Sequence, residues 1–317
     1  MNDISLRIQG AVTGAAIGAA RGEPVRGYSL QQIHDKYGPD GIIRYDIGRD
    51  GYTAKLPEEY RMMLYTINGL LLPDAVHSPL KRVQMAWQEF KALQKGVEAQ
   101  PYCCWISENV HMFTGVIPKP SILSVVPMAL WVKDSPLTAI RMAVEAASEN
   151  PASEQFAGAA LVNCLYQVIH GDKLENAIPE SIQRLTALYG DSRRAILDNI
   201  AGLMELALML SKNESSPNDT NIELLSQPAI VYPSLAIGLY SALRYPNDCS
   251  RAITVAVNQA GDSVISGAIA GCLVGAQKGI LEIDENEGGN DELMFSGLEL
   301  LSVVWVLGRD LACAGSD

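Results

Sequence analysis

Three carboxylates stand where side chains could do chemistry. Glu58 and Glu59 follow Pro57 at the head of the apolar run MMLYTINGLLL, and Asp262 lies in the turn Ala260-Gly261-Asp262-Ser263 ahead of a Gly/Ala-rich helix. Neighbouring acids offer the oxygen ligands that suit Mg²⁺ or Ca²⁺, and paired carboxylates can share general acid–base work. Each also has a plainer reading. Proline followed by acids is a standard helix start, since both suit a helix N-terminus. An aspartate just ahead of a helix is an ordinary N-cap. From the residues alone both readings stay open.

Other constellations fail. The histidines at 34, 77, 111 and 170 show no ligand spacing, which argues against a histidine-based zinc site. His170, ahead of Gly171, fits a cation at a helix C-terminus. Neither a G-x-S-x-G elbow nor a phosphate-binding P-loop occurs. Gly10, Gly14 and Gly18 follow no strand, so a dinucleotide fingerprint does not apply, and tight helix packing explains their spacing. The six cysteines, 103, 104, 164, 249, 272 and 313, form no C-x-x-C pair. With no basic-then-apolar leader at the start, this leads us to expect a reduced, cytoplasmic protein.

The elements that must position the carboxylates are helices. Only 4 Phe, against many Ala, Leu, Ile and Met, favours helices over sheets, and no strand pattern stands out. The spacing predicts helices over 6–20, 29–36, 57–72, 80–95, 136–148, 151–169, 192–211, 232–244, 247–258 and 263–279, with a last helix over 291–307. Residues 37–57 and 100–120 read as loop or irregular, 212–221 as a mobile surface loop and 282–291 as a linker. The 317 residues, 48% hydrophobic and 19% charged, are enough for one large core. We expect a single all-α domain over 1–317 with the Gly/Ala-rich helices at its middle. A net charge of −12 without a basic run excludes nucleic acid as a main partner. No apolar run is long enough for a membrane span. The oligomeric state is not legible.

Several stretches, in order, resemble the ADP-ribosylglycohydrolase family. QGAVTGAAIGAARGEPVRG at 9–27 is similar to the family's GALLGAALGDALGAPVEG, and PEEYRMMLYTINGLL at 57–71 resembles a loop ending in TDDTQM and its helix. KPSILSVVPMAL at 119–130 resembles NGAAMRVAPLAL. AVNQAGDSVISGAIAGCLVGAQKG at 256–279 is closely similar to AVNLGGDTDTTGAIAGALAGAYYG, and YPSLAIGLYSALRYPNDCSRAI precedes it as in the family. The resemblance implies an all-α fold with a central cleft, where two Mg²⁺ ions hold the ribose hydroxyls of ADP-ribose and position a water for attack on the anomeric carbon.

Carried over residue by residue, the resemblance implies Glu58, Glu59 and Asp262 as catalytic carboxylates and as the remaining metal ligands. The family's two aspartates become Glu58 and Glu59, and their flanking threonines become Pro57 and Tyr60. Asp262 is kept, but the next aspartate is Val264 and the following threonine Ile265. The acid of PVEG is Arg26, the aspartate of GDAL is Ala19, and a histidine after the middle helix is replaced by Glu149. Val264 and Ile265 cannot ligate a metal. The expectation is therefore no metal, or at most one weakly bound Mg²⁺. Arg26 brings a positive charge to a cation's place and is expected within reach of Glu58, Glu59 or Asp262. Arg26, Tyr60, Arg61, Ser121, Asn258 and Ser263 are the expected substrate-binding residues, with Tyr45 and Asp46 as further lining.

Three functions follow. The chain is a divergent hydrolase of an ADP-ribosyl or related ribosyl glycosidic bond, with Glu58 or Glu59 as base and Asp262 positioning the sugar. Or it is an inactive relative that binds ADP-ribose or a nucleotide in a regulatory role. Or it acts on a changed small-molecule substrate, with Lys55, Arg26 and Arg61 recognising an anionic group. The expected partner is a small molecule or an ADP-ribosylated substrate. Fold likeness alone does not choose among them.

Overall fold

The computed structural model describes residues 3–47, 53–97, 102, 104–110, 119–227, 232–285 and 297–314. Its helices in chain order are α1 (Asp3–Gly22), α2 (Leu30–Tyr37), α3 (Glu58–Leu71), α4 (Pro79–Gln94), α5 (Cys104–Val110), α6 (Ile122–Val125), α7 (Pro127–Trp131) and α8 (Pro136–Ala146). Then come α9 (Ala152–Ile169), α10 (Leu174–Ser211), α11 (Asn218–Leu225), α12 (Pro233–Arg244), α13 (Cys249–Val257), α14 (Ser263–Lys278), α15 (Ile280–Glu285) and α16 (Leu301–Cys313). Among the described residues the only β feature is an isolated parallel bridge between Ala54 and Leu298. The fold is all-α, and one hydrophobic cluster runs through every major helix.

The architecture is organised on the antiparallel pair α1 and α14, which touch at backbone distance. A Cβ placed on Gly10 would lie 2.1 Å from Gly275 O, one on Gly14 2.0 Å from Gly271 O, and one on Gly18 2.0 Å from Gly267 O. At the end of this series Gly22 faces Ser263 O at 2.3 Å. Only glycine fits such positions, because any side chain would displace a packed backbone. Both helices are almost wholly buried from Gly10 and Ser263 onward. The four-residue spacing is thus a packing device, as the sequence suggested. Its register has a further effect: the C-terminus of α1 is fixed beside the N-terminus of α14.

Three other elements complete the frame. α3 is tied to α1 by the fully buried Tyr60, whose hydroxyl donates to Val12 O at 2.8 Å. α12 and α13 pack on α14, and α16 lies across α1 and α3. The sequence reading needs four corrections. Residues 104–110 are helical within the stretch read as irregular. α10 begins at Leu174, well ahead of the periodic stretch 192–211, because a non-helical Arg193 (φ −135°, ψ 22°) breaks it and shifts the phase of its apolar stripe. α11 starts inside the expected mobile loop, with Pro217 at its cap. α15 occupies the start of the expected linker. The first residues of the expected last helix, His111 and most of 100–120 lie outside the described residues.

Candidate functional site

The register of α1 against α14 brings two distant sequence motifs together. Past Gly22 the chain makes a short 3₁₀ turn, Glu23–Val25, and Arg26 follows as its cap. Gly27 N then donates to Gly261 O at 3.1 Å, which pins the turn to the loop carrying Asp262. Asp262 caps α14, accepting from Ile265 N at 3.2 Å. The plain reading of Asp262 is therefore correct as far as it goes. The third contribution is the first turn of α3, which carries Glu58 and Glu59.

Arg26 is the hinge of this junction. Its Nη2 lies 2.8 Å from Glu59 Oε2 and 3.2 Å from Glu23 Oε2. The Arg26 side chain is 37% exposed and that of Glu59 24%, so the pairs are open to water and individually weak. Burial alone would lower the guanidinium, but the hydrogen bond to Glu59 and the charges of Glu59, Glu23 and Asp262 raise it above its ordinary value. Asp262 is pushed up, first by desolvation and then by Glu59, against the opposing Ile265 N–H and Arg26. Asp262 is nonetheless exposed to water. Glu23 is also pushed up, by desolvation first and then by Glu59, Asp262 and Glu58, with Arg26 opposing. Three carboxylates, Glu23, Glu59 and Asp262, therefore share the field of one arginine, with Glu58 beside them.

The expected site residues divide. Glu58, Glu59, Asp262 and Arg26 are brought together. Tyr60 and Arg61 are not: α3 turns both into the core, where they are 0% and 1% exposed. Tyr60 binds Val12 O, and Arg61 binds Leu56 O, Val110 O and Glu299. Asn258 spends its amide on the backbone, accepting from Ile42 N at 2.8 Å and donating to Ile42 O and Thr254 O. It anchors the loop after α2. Ser121 caps α6 by accepting from Leu123 N at 3.3 Å. Ser263 is fully buried, and its Oγ has no partner among the described residues. Asp46 accepts from Lys36 and Tyr37 at the end of α2. Lys55 is exposed, and Glu149 is exposed and faces Lys91 at 4.0 Å.

One residue of the junction was missed by sequence reasoning. Glu23 precedes Arg26 by three residues in RGEPVRG, and an acid one turn from a cation was the available signal. Tyr232, at the cap of α12, is pushed up by burial and then by the charges of Glu154, Asp262 and Glu59. Glu154, in the first turn of α9, is also raised by burial, with Lys119 opposing. Two grooves, of about 400 Å³ beside Trp305 and about 420 Å³ beside Lys278, lie away from this junction.

The donor set does not fit a two-Mg²⁺ centre. A guanidinium hydrogen-bonds Glu59, Asp262 Oδ1 is engaged by a backbone N–H, and Val264 and Ile265 are 0% and 2% exposed in the core. Mg²⁺ demands near-octahedral oxygen ligation, and Val264 and Ile265, which by the resemblance stand at the family's ligand positions, carry no oxygen. Among the described residues no three His, Cys, Asp or Glu side chains are arranged to hold a metal ion.

A helical domain built on a glycine-stacked helix pair, with acids gathered at one end of that pair, defines the class. A family model for ADP-ribosylglycohydrolase matches residues 1–288. The chain belongs to the ADP-ribosylglycohydrolase family. No curated protein matches it. No helix among the described residues is long and apolar enough to cross a membrane.

Proposed function

We propose that this chain is a ligand-binding member of its family. It holds an ADP-ribosyl or related ribosyl group at the junction of α1, α3 and α14, with Arg26 in the electrostatic role of a cation. The observation that carries this reading is the Arg26–Glu59 pair at 2.8 Å. Arg26 stabilises facing carboxylates without a metal, and the acids it orders are good acceptors for sugar hydroxyls. Four acids against one arginine leave the junction acidic. That favours hydroxyl donors there and disfavours a phosphate gripped by Arg26, whose Nη2 is already shared by Glu23 and Glu59.

One observation favours a second reading. Asp262 and Glu23 are both raised above their ordinary values, by burial first. Of two neighbouring carboxyls, one can act as a general acid while the other, ionised, activates water. Metal-free hydrolysis of a ribosyl bond would use that pair.

One experiment separates the readings. Melting curves with ADP-ribose, in EDTA, are followed by a turnover assay on ADP-ribosylated arginine and serine peptides. A ligand that binds only the native state raises the melting temperature. A rise in EDTA with no turnover supports the binding role. Turnover in EDTA that Asp262→Asn abolishes supports the second reading. No rise with ADP-ribose and no turnover contradict both.

A further inference from the structure

The family match ends at residue 288, and residues 297–314 lie beyond it. That segment nonetheless reaches the acidic helix. Ala54 N donates to Gly297 O at 2.6 Å, and Glu299 N donates to Ala54 O at 2.9 Å. Glu299 Oε2 accepts from Leu56 N at 2.9 Å and from Arg61 Nη2 at 2.6 Å. Arg61, 1% exposed, closes a ring by donating Nε to Leu56 O at 2.9 Å, and its Nη1 donates to Val110 O. The ring spans residues 57–60, the turn that carries Glu58 and Glu59.

That turn lacks ordinary support. Pro57 occupies the cap of α3, has no side-chain acceptor, and no side chain caps the helix. Capping oxygens normally satisfy the free N–H groups and fix the entry of the chain. Here the geometry of entry is set one turn in, through Arg61, by an acid from the far end of the sequence. Glu59, borne on the same turn, is the residue that holds Arg26.

We propose that Glu299 is a positioning residue. Through Leu56 and Arg61 it fixes the turn presenting Glu58 and Glu59, and so keeps Glu59 in register with Arg26. The C-terminal segment is then coupled to the site without touching it. This deepens the ligand-binding reading and rests on it for its purpose, but the contacts exist without ligand.

The test uses the full chain without ligand. Amide hydrogen exchange of peptides covering 54–62 is measured for the wild type, Glu299→Gln and Glu299→Ala. Exchange with water of the Arg26 side-chain N–H is followed by NMR in the same three proteins. Arg26 bonds neither Glu299 nor Arg61 among the described residues, so general loosening would not single it out. Expected is an exchange rate raised tenfold or more in 54–62 and at Arg26 for Glu299→Ala. Glu299→Gln, which keeps an acceptor, falls between, and peptides from α9 and α13 do not change. Unchanged exchange at Arg26, with or without a lower melting temperature, overturns the proposal. Should Glu299→Ala fail to fold, Arg61→Lys carries the same test, since it keeps the charge but loses the fork to Leu56 and Glu299. A failed ADP-ribose response would contradict the ligand reading and leave these readouts intact.

Discussion

Arg26 Nη2 lies 2.8 Å from Glu59 Oε2, joining the end of the first helix to the start of the third. By resemblance, Arg26 stands at a family acid's position and Glu59 at a family aspartate's. A cation borne by the chain thus faces a carboxylate that would otherwise face a metal. The pairing also explains why four acids can crowd one junction at all: Glu23 and Asp262 are each relieved by Arg26, while Glu59 works against both.

Removing that cation should expose the crowding. Arg26→Ala is expected to cost about 1 kcal/mol near neutral pH, the scale of a partly exposed ion pair. Glu23 and Asp262 have folded pKa values raised above their unfolded ones. Their contribution is fully present below the ordinary carboxylate range and is lost as pH rises through the raised values. Without Arg26 that loss should steepen. Urea unfolding at about pH 4 and about pH 7 should show a wider gap between variant and wild type at the higher pH. An equal gap at both would show that Arg26 does not govern these acids.

Asp262 should separate capping from ligand recognition. Asn caps as well as Asp, so Asp262→Asn should stay within about 0.5 kcal/mol of the wild type, whereas Asp262→Ala should cost about 0.5–2 kcal/mol. Both should lose any melting-temperature response to ADP-ribose. A response retained in Asp262→Asn would confine Asp262 to its capping role.

The glycine stack makes a sharper stability forecast. Gly14→Ala would put a methyl 2.0 Å from Gly271 O, and neither backbone can yield without opening the core. The expected loss is about 3 kcal/mol or more. Gly202, within α10, has nothing within 4 Å of its Cβ position, so Gly202→Ala should stabilise by roughly 0.5–1 kcal/mol. Thermal unfolding of the two variants should move in opposite directions.

Tyr60 and Arg61 should behave as core residues. Tyr60→Phe removes one buried hydrogen bond, to Val12 O, and should cost about 1 kcal/mol while leaving the ADP-ribose response in place. A full loss of response at unchanged stability would return Tyr60 to the binding surface.

The sequence made the helical frame legible because small-residue spacing and apolar periodicity are local. Gly10, Gly14 and Gly18 announced a close partner, and the resembling motif at 256–279 supplied it. The meeting of Arg26 with Glu59 was expected from two motifs whose family counterparts share one site. What a linear reading misses is direction. Tyr60 and Arg61 sit beside two site acids in sequence, but a helix rotates successive residues by about a quarter turn, which sends them inward. Asn258 looked available because its partner, the backbone of Ile42, is far away in sequence. Glu299 was invisible for the same reason: its contacts with Leu56 and Arg61 exist only once α16 has packed.

The measurement that bears most directly on Arg26 as a built-in cation is a Mg²⁺ titration of the wild type and of Arg26→Glu, followed by melting temperature. Arg26→Glu gathers five acids at the junction with no arginine among them. The wild type should show no Mg²⁺-dependent rise, while Arg26→Glu should start less stable and gain several degrees as Mg²⁺ is added. A wild type that rises with Mg²⁺, beside an Arg26→Glu variant that rises no further, would contradict the account.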